Sequence, residues 1–63
     1  MGRPRSGIAV EQNGVVYTGL RLRSGARRLW RIADLAPAPA GMPSLAWAKL
    51  FSLQMQARYD AHD

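Results

Sequence analysis

An Asn-Gly step at residues 13–14 and a Ser-Gly step at residues 24–25 divide the first half of this chain into three short runs. Asn and Gly both tolerate the positive φ that a two-residue type I′ turn demands, so the chain is expected to fold back on itself at Asn13-Gly14. The first run, Gly7 to Gln12, has Ile8 and Val10 at period two. The second, Val15 to Arg23, puts Val16, Thr18, Leu20 and Leu22 on one face and Tyr17, Gly19, Arg21 and Arg23 on the other. In the third, Ala26 to Ile32, alternation separates Arg28, Trp30 and Ile32 from Arg27, Leu29 and Arg31. Burying a tryptophan gains more than burying a leucine, which favours the register that turns Trp30 and Ile32 inward with Leu20 and Leu22. Arg21, Arg23, Arg27 and Arg31 then share the outer face. Arg28 falls at the rim of the core, its stem over apolar surface and its head in solvent.

Charge follows the same division. Of 63 residues with net charge +5, residues 1 to 32 hold seven arginines against Glu11, a net +6, and residues 33 to 63 hold Lys49 and Arg58 against Asp34, Asp60 and Asp63, a net −1. All the basic side chains of the first half are arginine, whose planar fork grips phosphate and guanine edges in bidentate fashion. A basic ribbon of this kind points to nucleic acid. With no cysteine and one histidine, a disulfide staple and a zinc cage are excluded and no metal or cofactor is expected. No apolar run approaches the roughly 20 residues of a membrane span, and the start lacks a secretory segment, so a cytoplasmic protein is expected. A chain of this length buries only about 60% of its unfolded surface, so its core will be thin.

Residues 1–6, MGRPRS, hold a proline and a glycine and read as a flexible basic arm. Its Gly-Arg-Pro-Arg resembles the core of an AT-hook, which implies that Arg3 and Arg5 reach a minor groove narrowed by A·T pairs. Residues 34–43 carry three of the four prolines and read as an extended, semi-rigid connector. Ser44 suits an N-cap for a helix over 44–61. On that helix Trp47, Leu50, Phe51, Gln54 and Met55 gather on one side, flanked by Leu53 and Ala57; Lys49, Ser52, Gln56 and Asp60 gather mostly on the other. The wide apolar side is expected to cover the sheet. Residues 7–63 then form one small α+β domain, with sheet 7–33, connector 34–43 and helix 44–61: a three-stranded antiparallel sheet packed against one C-terminal helix, in the order β-β-β-α.

There is no acid–base pair, no nucleophile with a base and no phosphate-cradling glycine loop, so the expected role is binding and not catalysis. If the ligand is DNA, Arg21 at the centre of the second strand and Arg27 across from it are placed to reach bases. Arg23, Arg28 and Arg31 then grip phosphate, with Arg3 and Arg5 in the adjacent minor groove. RNA or another polyanion would meet the same arginines. Trp30 and Trp47 have the chemistry of stacking platforms for bases, but both lie on expected core faces. His62, in a terminal Asp-His-Asp, reads as a solvated tail. A rival reading makes the chain a protein-interaction module, with Trp47, Phe51 and Met55 serving a partner or self-association.

The run from Gly2 to Ile32 resembles the N-terminal arm-type DNA-binding domain of tyrosine recombinases, the integrases of phages and transposons. The resemblance rests on the Gly-Arg-Pro start, the aromatic-led strand Val16-Tyr17-Thr18-Gly19-Leu20-Arg21-Leu22-Arg23 and the Ser24-Gly25 turn before a basic strand. It departs from the family pattern where Val16 replaces tryptophan, Gly19 replaces arginine and Ser24 stands for aspartate. The resemblance implies a three-stranded sheet with a C-terminal helix, the sheet in the major groove, and Tyr17, Arg21, Arg23, Arg27 and Arg31 facing double-stranded DNA. It also implies a downstream recombinase domain, or a stand-alone remnant without one. Tyr59 and His62 do not stand for that family's catalytic residues.

Overall fold

Both hairpins close where glycine allows it. In the computed structural model, which describes residues 6–62, Asn13 and Gly14 have φ of 53° and 79°, the type I′ signature. They join β1 (Ile8–Gln12) to β2 (Val15–Arg21). The second turn is a three-residue loop: Gly25 N donates to Leu22 O at 3.0 Å, Leu22 N donates to Ala26 O at 2.8 Å, and Gly25 has φ of 95°. That geometry leads into β3 (Arg27–Arg31). The sheet is three-stranded and antiparallel in the order β1-β2-β3.

Pairing sets the faces, because residues directly opposite each other across an antiparallel pair lie on the same side. Thr18 pairs with Trp30 and Leu20 with Arg28, while Tyr17 pairs with Arg31, Gly19 with Leu29 and Arg21 with Arg27. The register expected from burying Trp30 is the one observed. In β1, Ile8 and Val10 stand opposite Gly19 and Tyr17, which puts them on the arginine side of the sheet.

Ile32 departs from expectation. Instead of continuing the strand it opens a one-turn helix, α1 (Ile32–Leu35), and is 2% exposed. The turn ends because Ala36 precedes Pro37, which forces Ala36 into extended backbone. A second turn, Met42 N to Pro39 O at 3.1 Å with Gly41 at φ of 84°, folds the rest of the connector. Trp47 pins it, with Nε1 donating to Ala36 O at 2.7 Å.

Helix α2 (Ser44–Ala61) follows. Ser44 is its first residue and not its cap. Pro43, extended at φ −62°, holds the N-cap position without a side-chain bond, its carbonyl accepting Trp47 N at 3.0 Å.

The larger correction concerns which side of α2 meets the sheet. The buried stripe is Ala48, Ser52 and Gln56, exposed 0%, 0% and 2%. Trp47, Phe51 and Met55 are half-buried on one flank, and Leu50 is 44% exposed. The reason lies in the backbone. β1 starts at Ile8, opposite Gly19, so Ile8 N, Gly19 O and the outward groups of the chain beyond Gly19 bond to no neighbouring strand. Side chains of α2 take them. Ser52 Oγ accepts from Ile8 N at 2.8 Å and donates to Gly19 O at 2.6 Å. Gln56 accepts from Arg21 N at 2.7 Å and donates to Arg21 O at 3.0 Å. Tyr59 OH accepts from Arg23 N at 3.0 Å.

The spacing suits the task. Four helical residues rise about 6 Å and two strand residues about 6.7 Å, so Ser52 and Gln56 step along with Gly19 and Arg21. A sixth bond, from Thr18 Oγ1 to Ala48 O at 2.9 Å, fixes the Thr18 face as the one under the helix. Small and polar residues let α2 approach closely enough to make these bonds. The buried apolar core on that side is correspondingly small, namely Leu20, Ile32 and Ala48, while Ile8 is buried on the other face beside Gly19.

Candidate nucleic-acid interface

The sheet face away from α2 carries four cross-strand rows. They are Gln12–Val15, Val10–Tyr17–Arg31, Ile8–Gly19–Leu29 and Arg21–Arg27. Arg27 and Arg31 are exposed and Tyr17 and Arg21 half-buried; between the arginines Leu29 is 47% exposed and, on β1, Val10 is 40% exposed. Arg21 and Arg27 stand directly opposite each other. Cross-strand neighbours lie about 5 Å apart at Cβ, where like charges oppose pairing, so this pair is held together by the fold and not by its own attraction. Ile8 and Leu29 close over Gly19, because a Cβ there would sit 2.8 Å from Ile8 Cβ and 2.6 Å from Leu29 Cδ2. The family pattern's arginine at this position would not fit this packing.

Not every expected arginine joins that face. Arg23 lies beyond β2 and turns to the end of α2, where its Nη2 donates to Tyr59 O at 3.0 Å and to His62 O. Its guanidinium carbon sits 4.6 Å from the Tyr59 ring centroid. Positive charge at a helix C-terminus is favourable, so Arg23 acts here as a cap. Arg28 lies opposite Leu20 on the α2 side of the sheet, 5.6 Å from the Trp30 ring centroid, at the rim where it was expected. It points away from the Arg21 face. Arg3 and Arg5 lie outside the described residues. The cluster on one face is therefore Arg21, Arg27 and Arg31 with Tyr17.

The tryptophans have structural occupations. Trp47 holds the connector and meets Phe51 at 6.0 Å between centroids; Trp30 is half-buried beneath Arg28. A shallow depression of about 310 Å³ is lined by Gly14, Val15, Val16, Arg31, Ile32, Ala33, Asp34 and Ser44. Among the described residues no three His, Cys, Asp or Glu side chains gather to hold a metal, and no helix is long and apolar enough to cross a membrane. What sequence reasoning missed is the polar stripe Ser52–Gln56–Tyr59, whose signal was small and polar residues at helical spacing beside leucines. These residues brace Arg21 from behind, because Gln56 holds both backbone groups of the residue whose side chain belongs to the basic face. Comparison of the chain with family models, with curated proteins and with solved structures finds no match.

Proposed function

We propose that this chain binds double-stranded DNA in the cytoplasm, without catalysing a reaction, by laying the Tyr17–Arg21–Arg27–Arg31 face of β2 and β3 into the major groove. The observation that carries this reading is the placement of Arg21 opposite Arg27, with Arg31 one row beyond Gly19–Leu29, on the face that α2 does not cover. A B-form major groove about 12 Å wide admits a two-stranded ribbon, and arginine matches the O6 and N7 edge of guanine. Arg21 and Arg27 take the base-reading role and Arg31 a phosphate. Arg3 and Arg5 reach the neighbouring minor groove. This is the binding mode of the arm-type domain of tyrosine recombinases, and the chain acts either beside a recombinase domain or as a stand-alone remnant. Double-stranded RNA is disfavoured by the same geometry, since its deep, narrow major groove shuts out such a ribbon.

The test is selection of bound sites from random duplexes, followed by salt titration of the winner. Arg21→Ala and Arg27→Ala should each cost about 1 to 3 kcal/mol and relax choice at particular positions. Arg28→Ala, on the opposite face, should leave the preference unchanged. Equal losses from all three, or affinity that ignores salt, would refute the assignment.

A further inference from the structure

Helix α2 has a second face. Successive residues turn by about 100°, so Ala46, Leu50, Leu53 and Ala57 gather on a side turned roughly 130° from the buried Ala48–Ser52–Gln56 stripe, with Leu53 at its edge beside Gly7. All four are exposed, Leu50 by 44% and Leu53 by 36%. Their spacing of four, three and four residues is that of a coiled-coil seam. The seam holds no charge, with Lys49, Arg58 and Asp60 beside it. Its order, Ala-Leu-Leu-Ala, reads the same in both directions.

We propose that this seam pairs two copies of the chain, helix against helix and antiparallel. About a two-fold axis between positions 51 and 52, Leu50 of each copy meets Leu53 of the other, and Ala46 of each meets Ala57 of the other. A self-matching order is what an isologous contact requires. Charge favours the same approach, because α2 carries Lys49 and Arg58 balanced in part by Asp60 while the open sheet face carries Arg21, Arg27 and Arg31 with no acid among them, so two copies repel less through their helices than through their sheets. The seam runs about 16 Å along the axis, too short for a standard-sized interface, and the pairing is therefore weak and reversible. Stacked in the order sheet, helix, helix, sheet, the dimer turns its two Arg21–Arg27–Arg31 faces to opposite ends. Where each face holds a duplex, which rests on the DNA reading above, one dimer bridges two duplexes.

The chain has no cysteine, so a single introduced thiol reports its own neighbours. An oxidised mixture of Ala46→Cys and Ala57→Cys chains should form the mixed disulfide about tenfold faster than either variant alone forms its own, since only the mixed pair comes within bonding distance. Adding Leu50→Asp to both should remove that advantage with circular dichroism unchanged. No advantage for the mixture, or one that survives Leu50→Asp, overturns the pairing. For the bridge, a duplex on a bead should capture a second labelled duplex through the native chain. Leu50→Asp should abolish capture and keep single-duplex affinity. Capture that survives Leu50→Asp also overturns the proposal. Mixed disulfides without any duplex binding support the dimer and refute the DNA reading instead.

Discussion

Replacing Gln56 by methionine tests the bracing of β2 by α2 most directly. Methionine keeps the length and flexibility of the side chain and removes its polar end, so packing is nearly conserved. Three bonds go: Arg21 N to Oε1 at 2.7 Å, Nε2 to Arg21 O at 3.0 Å and Nε2 to Asp60 Oδ1 at 3.1 Å. Arg21 is only half-buried, so each of its two stranded backbone groups is expected to cost about 1 kcal/mol, near the low end for an unmet bond. The Asp60 carboxylate is exposed and water replaces that bond at little loss. The net destabilisation is about 2 kcal/mol, a large share of the roughly 3 to 9 kcal/mol expected for a chain of this length. With a urea slope of about 1 kcal/mol per molar, the unfolding midpoint should fall by about 2 M. Trp30 and Trp47 fluorescence, read beside far-UV circular dichroism, follows the transition. Gln56→Glu should also destabilise, because a carboxylate has no N–H for Arg21 O and stands beside Asp60. A Gln56→Met midpoint equal to or above the native one would refute the view that these bonds, and not apolar burial, dock the helix.

Three further substitutions probe other parts of the molecule. Gly19→Ala drives a methyl into Ile8 and Leu29 and should cost about 1 to 3 kcal/mol by thermal or urea unfolding, with no gain in DNA affinity. Arg23→Ala removes the cap on α2 and should reduce stability by less than about 1 kcal/mol while lowering helical ellipticity. Its effect on DNA affinity should be much smaller than that of Arg27→Ala, and parity between the two would contradict the placement of Arg23 at the helix end. Gly14→Ala meets no atoms but must hold φ of 79°; a loss of about 1 kcal/mol is expected, and a stabilised variant would argue against the turn geometry.

The sheet was legible because its signals are local. Asn13-Gly14 admits few backbone paths, and once it is a turn the alternation of Thr18 and Leu20 with Tyr17 and Arg21 assigns the faces. Preference for a buried Trp30 then placed Arg27 and Arg31 beside Arg21. The docking face of α2 was not legible by the same means, because counting apolar residues ranks Trp47, Phe51 and Met55 above Ala48, Ser52 and Gln56. That count omits the unpaired edge of β2, which exists only because β1 begins as late as Ile8. Strand length is a tertiary fact, and so the demand for hydroxyl and carboxamide groups on the helix is invisible until the strands are paired. Arg23 escaped for a related reason: alternation gave its side, but β2 ends at Arg21 and the helix end lies within its reach.

That late start of β1 has a kinetic consequence. The amides of Ile8, Arg21 and Arg23 donate to Ser52, Gln56 and Tyr59 and not to a neighbouring strand, so their protons are shielded only while the helix is seated. Deuterium should enter these three sites together, at the frequency with which α2 lifts away, whatever the state of the hairpins themselves. Three protons on the sheet thereby become a clock for the helix.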